Sequence, residues 1–308
     1  MRALVTGGAG FIGSHIVRAL LEQGASVRIL DNFQTGRREN LAGLGGPALE
    51  VLEGDLRDPA TRSQAVQGVE VIYHQAAFVS VPESMQDPQR CFDINVAGTA
   101  ALFEAARTSG VRRVVIASSA AVYGDSTRLP LDEDTPLHPV SPYAVSKRVN
   151  EMYAALYTEA LGLEVAALRY FNVYGPRQRP DSMYAAAIPL FVERLRARKP
   201  VTVFGDGGQT RDLIFVGDVV RANLLAADHP AAAGRVFNIC TGTETRMIDL
   251  LEVLLDLFPD AAGPEFAAAR PGDIYRSVGS PARAASLLGF RPQVPLAEGL
   301  KETVAWTA

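Results

Sequence analysis

The sequence predicts an α/β fold: a doubly wound parallel sheet with helices on both faces, followed by a smaller C-terminal α/β lobe. Three observations carry that reading. The apolar run Ala3-Leu4-Val5-Thr6 leads straight into glycines at spacing three, Gly7, Gly10 and Gly13. Strand-like and helix-like segments alternate from there on, and beyond residue 172 the Pro and Gly spacing becomes looser.

Taken in order, the first strand ends at Thr6, and Ile16, Val17, Leu20 and Leu21 then repeat as one face of a helix. After Gly24 a second strand, Val27 to Leu30, ends in Asp31-Asn32. Glycines let the backbone turn tightly and approach a pyrophosphate closely, and the positive end of the following helix faces the phosphates. This is a Rossmann-type βαβ opening for a dinucleotide. Asp31 is placed to accept hydrogen bonds from the adenosine ribose, and a 2′-phosphate would meet its carboxylate, which favours NAD. Arg37 and Arg38 leave NADP as the secondary reading. A third strand, Leu49 to Leu52, ends near Gly54-Asp55-Leu56, and a fourth, Val69 to His74, ends at Gln75-Ala76-Ala77. Small residues at Ala76 and Ala77 suit close approach to the cofactor. Asp55 suits either the adenine amino group or a helix cap. One helix carrying Phe92, Val96, Thr99, Leu102, Phe103 and Ala106 precedes a strand from Val114 to Ala117.

Composition narrows the classes. The chain has 308 residues, 48% of them hydrophobic, enough for a substantial core that divides into two lobes. A net charge of −4 gives no reason to invoke nucleic acid or an anionic membrane. No apolar run approaches the roughly 18 residues needed to span a bilayer, and a strand beginning at residue 3 leaves no room for a signal peptide. Cys91 and Cys240 lack metal-ligand spacing and read as buried apolar side chains in a reducing, cytoplasmic setting. The four histidines are scattered, so metal catalysis is not expected.

The chemistry sits in two pieces. Ser118-Ser119-Ala120-Ala121-Val122-Tyr123-Gly124 directly follows a strand, where side chains reach the cofactor crevice. In Ser141-Pro142-Tyr143-Ala144-Val145-Ser146-Lys147, Ser141 as N-cap and Pro142 at the first helical position put Tyr143 and Lys147 one turn apart on one helix face. A tyrosine with a reference pKa of about 10 is a poor base at neutral pH, and lowering it by about 3 units takes roughly 4 kcal/mol of differential stabilisation. Lys147 is expected to supply part of that while holding the nicotinamide ribose. Ser119 is expected to hydrogen-bond the substrate hydroxyl and pass its proton.

With these residues in view, the chain resembles the extended short-chain dehydrogenase/reductase family, and within it the nucleotide-sugar epimerases. The matching stretches include Gly7 to Gly13, Asp31-Asn32, Asp55-Leu56, His74 to Ala77, Asn95 to Thr99, Ser118 to Gly124, Tyr143 to Lys147, Arg169 to Pro176, Arg211-Asp212 and Asn238 to Gly242. The resemblance implies transient oxidation at C4″ of a UDP-sugar by tightly held NAD, with Tyr143 as base and Ser119 as its partner. It adds Phe11, Ile12, Asn32, Leu56, Asn95, Ser118 and Tyr170 to the NAD contacts, and Ser80, Asn172, Arg211, Arg270 and Ser277 to the substrate contacts, the two arginines on the diphosphate. Related dehydratases carry an Asp-Glu pair where this chain has Ala120-Ala121, so water elimination lacks its acid/base and epimerisation remains. Ser80-Val81-Pro82-Glu83-Ser84 and Tyr184-Ala185-Ala186-Ala187-Ile188-Pro189 look most like the bacterial UDP-N-acetylhexosamine 4-epimerases. The family's gate position falls on Ser277, small enough to admit an acetamido group, whereas Val79 replaces a frequent glycine and narrows the pocket. UDP-glucuronate 4-epimerases share much of this pattern.

Residues 1–172 are therefore assigned to NAD and 173–308 mainly to substrate. Strands near Leu168 to Phe171, Leu213 to Val216 and Val236 to Ile239 are expected to return to the main sheet. Asp212 and Asp218 read as structural caps. A homodimer is implied by the resemblance, and the helices near 88–108 and 143–161 carry apolar residues on more than one face, including Met152, Tyr153, Leu156 and Tyr157. Two other readings stay open: a nucleotide-sugar reductase, dehydrogenase or dehydratase, and a catalytically silent NAD-binding sensor or scaffold.

Overall fold

A computed structural model of the chain describes residues 1–180, 187–269 and 274–306. The strands are β1 Arg2–Thr6, β2 Ser26–Asp31, β3 Leu49–Glu53, β4 Val71–His74, β5 Arg113–Ser119, β6 Glu164–Tyr170, β7 Asn172–Tyr174, β8 Thr202–Phe204, β9 Thr210–Arg211, β10 Leu213–Phe215, β11 Val236–Ile239, β12 Thr245–Arg246 and β13 Glu265–Ala267. The helices are α1 Phe11–Glu22, α2 Pro59–Val66, α3 Val81–Gln86, α4 Pro88–Phe92, α5 Gly98–Thr108, α6 Pro142–Ala160, α7 Ala187–Arg196, α8 Val216–Asp228, α9 Met247–Leu257, α10 Ala282–Leu288 and α11 Leu296–Ala305.

Seven strands form one parallel sheet in the order β11-β6-β5-β4-β1-β2-β3. The order reverses between β1 and β4, and the carboxyl ends of those strands open the crevice where ligands of such sheets bind. Side chains alternate across the sheet. Ala3, Val5, Ile29 and Tyr73 face α1 and α8, while Leu4, Leu30, Ile72, Val114 and Ile116 face α2, α5 and α6. A second core, built by Phe191, Val203, Phe215, Leu250, Leu254 and Leu300, holds the C-terminal lobe together. Cys91 and Cys240 are buried free thiols.

Two expectations change. The strand at Leu213–Phe215 does not join the main sheet: it pairs in parallel with β7, because Tyr174 and Phe215 turn their rings into the second core. The single helix expected around Phe92 to Ala106 is three segments, α4, a π-helical turn over Asp93–Ala97, and α5. Phe92 is therefore rotated off the core face and exposed. The other two returning strands do lie in the sheet, as β6 and β11.

Candidate active site

At the end of β1, Gly7 takes φ +67°, and a Cβ there would sit 2.7 Å from the Ala76 backbone nitrogen. A Cβ on Gly13 would come within 2.1 Å of the Gly7 carbonyl oxygen. Only glycine permits this strand-turn-helix geometry. Gly10 caps α1 without a side chain, so the first-turn N–H groups at Phe11, Ile12 and Gly13 remain for an anionic ligand. Phe11 and Ile12 turn their side chains toward the second core.

Asp31 closes the cradle. Its carboxylate is buried and accepts from the backbone N–H of Ala9 (2.9 Å) and of Phe33 (2.8 Å). Burial raises its pKa, and those two N–H groups oppose the rise. Asn32 donates to Asp55 (3.3 Å), which forms a two-pronged pair with Arg57 that holds its carboxyl down at about 2. The cap of α2 is Asp58, not Asp55, so Asp55 is left at the strand end facing the crevice rim. Leu56 packs beside the α2–α5 core, and Ala76 and Ala77 follow β4 half-buried, with the Ala76 backbone against Gly7.

The catalytic candidates converge from two elements. Ser141 caps α6 by accepting from Ala144 N–H (3.1 Å), and the Tyr143 N–H is held by the Ser84 hydroxyl (3.2 Å). From the end of β5, the Ser119 hydroxyl lies near enough to Tyr143 to act on its phenol, and it accepts from Ala121 N–H (3.2 Å). Lys147 is buried, donates from Nζ to the Ala117 carbonyl (2.9 Å), and lies 5.7 Å from the Tyr143 ring centre. Burial lowers its ammonium to about 8.

The lowering expected of Tyr143 calls on the positive nicotinamide as well as Lys147, and the chain's own groups together act the other way. Burial raises its pKa, and the Ser119 hydroxyl opposes this only in part. Desolvation of the phenolate outweighs the neighbours that the chain itself provides.

Other predicted residues act at one remove. Asn95 is buried and spans the Phe78 N–H (2.7 Å), the Phe78 carbonyl (2.9 Å) and Ser146 Oγ (3.0 Å), fixing the turn that leads to Ser80. The Ser118 hydroxyl donates to Glu151 (2.6 Å). The Tyr170 hydroxyl, pushed up to about 12 by burial, is held by Asn223 (2.8 Å) and Gln75 (3.2 Å). Ser80 caps α3 by accepting from Glu83 N–H (3.2 Å).

A cavity of 480 Å³ opens in the C-terminal lobe, lined by Asn172 and Arg211 together with Leu190, Phe191, Thr202, Phe204 and Gln209. Arg211 donates to the carbonyls of Thr210 (2.8 Å) and Ile274 (2.7 Å). Ser277 is half-buried next to Arg276, which pairs with Glu244. Asp212 and Asp218 are structural: Asp212 gathers N–H groups of Thr241, Gly242 and Gly279, and Asp218 those of Gln293 and Val294. Arg270 and Tyr184 to Ala186 lie outside the described residues. Sequence reasoning missed Ser84, Gln75, Asn223 and Glu151. Gln75 and Ser84 lie within the stretches that carry the resemblance, and Glu151 lies one turn past Lys147 on the same helix face, but none of them was given a role.

Comparison with known proteins agrees with this geometry. The profile of the NAD dependent epimerase/dehydratase family matches residues 3–240. UDP-glucose 4-epimerase of Mycolicibacterium smegmatis is 43% identical over 307 residues, covering 99% of this chain and 97% of that protein. The structure of UDP-N-acetylglucosamine 4-epimerase from Methanobrevibacter ruminantium, in complex with UDP-N-acetylmuramic acid, superposes with a TM-score of 0.95 at 36% identity, covering 99% and 97% of the two chains. UDP-glucose 4-epimerase of Thermus thermophilus in complex with NAD gives a TM-score of 0.89 at 40% identity, covering 99% and 98%. The chain belongs to the NAD dependent epimerase/dehydratase family.

Proposed function

We propose that this protein is an NAD-dependent UDP-sugar 4-epimerase that interconverts UDP-N-acetylglucosamine with UDP-N-acetylgalactosamine and UDP-glucose with UDP-galactose. The observation that carries the reading is the buried Lys147 ammonium 5.7 Å from the Tyr143 ring centre, in a chain whose β1–α1 turn is a glycine cradle that a Cβ would fill. The cradle and the Asp31 carboxylate fit NAD, which supplies a hydride acceptor at C4″ and a positive ring beside Tyr143. Tyr143 takes the proton of the C4″ hydroxyl, with Ser119 holding that oxygen in line. Lys147, charged below its pKa of about 8, anchors the ribose side of the site. The 4-ketose would turn over in the pocket, so that the hydride held by NAD would return to the other face of C4″ while Tyr143 gives the proton back to the C4″ oxygen. Ala120 and Ala121 offer no carboxylate, which favours epimerisation over water elimination.

Residues 1–172 hold the cofactor, while 173–308 mainly hold the sugar nucleotide, with Asn172 and Arg211 in its cavity and Ser277 as a permissive gate. The exposed side chains of Phe92, Val145, Met152 and Leu156 on α4 and α6 support a homodimer packed through these helices. The buried free thiols suit a reducing cytoplasm.

The test is incubation with UDP-N-acetylglucosamine, UDP-glucose and UDP-glucuronate separately, with products resolved by anion exchange and identified by proton NMR. The 4-epimers of the first two are expected without added NADH. Tyr143→Phe is expected to lower kcat by about 10²–10⁴-fold. Product formed in proportion to consumed NADH, or turnover of UDP-glucuronate alone, would overturn the assignment.

A further inference from the structure

The helix that carries Tyr143 and Lys147 and the segment that carries Ser119 meet at one buried ion pair that the mechanism above does not use. Glu151 lies on the same face of α6 as Tyr143 and Lys147, two turns and one turn along. Its side chain is fully buried and forms a two-pronged pair with the equally buried Arg169 of β6, at 2.8 Å on each prong. Arg148 adds a third, weaker contact at 3.2 Å from the protein surface.

The pair reaches Ser119 from both flanks. On one side the hydroxyl of Ser118, its immediate neighbour, donates to Glu151 (2.6 Å). On the other, Arg169 donates to the hydroxyl of Tyr123 (2.8 Å), the last residue of the short 3₁₀ turn that Ser119 caps. Tyr123 passes its own proton donor on to Asn238 of β11 (2.7 Å). We propose that Glu151 and Arg169 are positioning residues for catalysis, a joint that sets the register of α6 against the end of β5 and so aligns the Tyr143 hydroxyl with that of Ser119.

Three observations favour this over a merely structural pair. A buried ion pair contributes little net stability against apolar residues of similar volume, so stability alone is a weak reason for it. Its two members sit on α6 and β6, and besides the surface contact of Arg148 with Glu151, each member has one further hydrogen bond to the segment around Ser119, from Ser118 and to Tyr123. Finally, directional bonds of fixed length specify a register that apolar packing leaves free to slide.

The proposal rests on the epimerase reading for its kinetic arm but not for its structural one. The test replaces the pair by apolar residues, Glu151→Leu with Arg169→Met, in the NAD-loaded enzyme. Folding is expected to be retained, because no lone buried charge is left. Crystal structures of this variant and of the wild type are expected to show the Ser119 and Tyr143 hydroxyl oxygens farther apart in the variant by about 1 Å or more. Turnover is expected to fall at least about tenfold with KM for the UDP-sugar within about twofold, the signature of lost alignment in place of lost binding. A folded variant with the two hydroxyls at their wild-type separation and kcat within about twofold of wild type would overturn the proposal. Should the apolar pair fail to fold, Ser118→Ala with Tyr123→Phe cuts both ties to the Ser119 segment while leaving the ion pair whole. The same fall in kcat at unchanged NAD occupancy is then expected, and an unchanged kcat would refute the joint. A wild-type protein that epimerises none of the UDP-sugars defeats the proposed function instead, and the hydroxyl separation still reads the joint by itself.

Discussion

Lys147 shows how one buried side chain combines chemistry and stability. Its ammonium titrates at about 8 in the folded protein because burial removes water from the charge, and near 10.5 when the chain is unfolded. Between those values the unfolded state binds more protons, so the Lys147 contribution makes the fold more stable as pH rises through that window. At pH 7 the full penalty is present. Lys147→Met, in the cofactor-free protein, is therefore expected to be more stable than wild type by about 1–3 kcal/mol at pH 7, after allowing for the lost bond to the Ala117 carbonyl. Urea melts at pH 7 and pH 10 should show that advantage narrowing; a constant gap would mean the ammonium is not held against its solvation. The motif made the pairing of Tyr143 with Lys147 legible in the sequence. The raised pKa of Tyr143 was not, since desolvation depends on β5, α3 and α4 closing over the ring.

Among the elements, the turn from β1 into α1 is the most tightly determined. Gly13→Ala would push a methyl to 2.1 Å from the Gly7 carbonyl oxygen, against backbone that has nowhere to retreat. Calorimetric titration with NAD is expected to show binding weakened at least about tenfold, with stability lower by about 1–3 kcal/mol. Retention of wild-type affinity would contradict the assignment of this turn as the pyrophosphate cradle. The spacing of Gly7, Gly10 and Gly13 announced this element because glycine is demanded by the backbone itself. The run from Phe92 to Ala106 was less legible. Its helical period is correct locally, but the π turn at Asp93–Ala97 inserts an extra residue into the ladder and rotates Phe92 away from the core. That rotation leaves Phe92 on the outer face.

For the whole molecule, acid sensitivity follows from a histidine buried between strands and helix. His74 makes hydrogen bonds to Thr6 Oγ1 (2.7 Å) and Thr99 Oγ1 (2.9 Å), and burial drops its pKa to about 3. Unfolded chains bind its proton below about 6.5, so stability is lost progressively as pH falls from there toward 3. Burial of Asp31, Asp212 and Glu133 raises their pKa values and works in the opposite direction at low pH. The measurement that isolates the histidine is thus a difference. Between pH 7 and pH 5, His74→Asn is expected to lose less stability than wild type by about 1–2 kcal/mol in urea melts. Equal losses would show that the imidazole is not the group responsible.

What the sequence by itself determined is the set of features that act over a few residues or one helical turn. These are the glycine turn, the acid at the end of β2, the capped start of α6 and the Tyr143–Lys147 spacing, all imposed by local backbone geometry. The tertiary structure alone decided which surfaces meet. It placed β10 beside β7 and outside the main sheet, enclosed the cavity between Asn172, Phe191 and Arg211, and tied Ser118 and Tyr123 to Glu151 and Arg169. Those outcomes depend on contacts between residues far apart in the chain, and on burial, which no local pattern encodes.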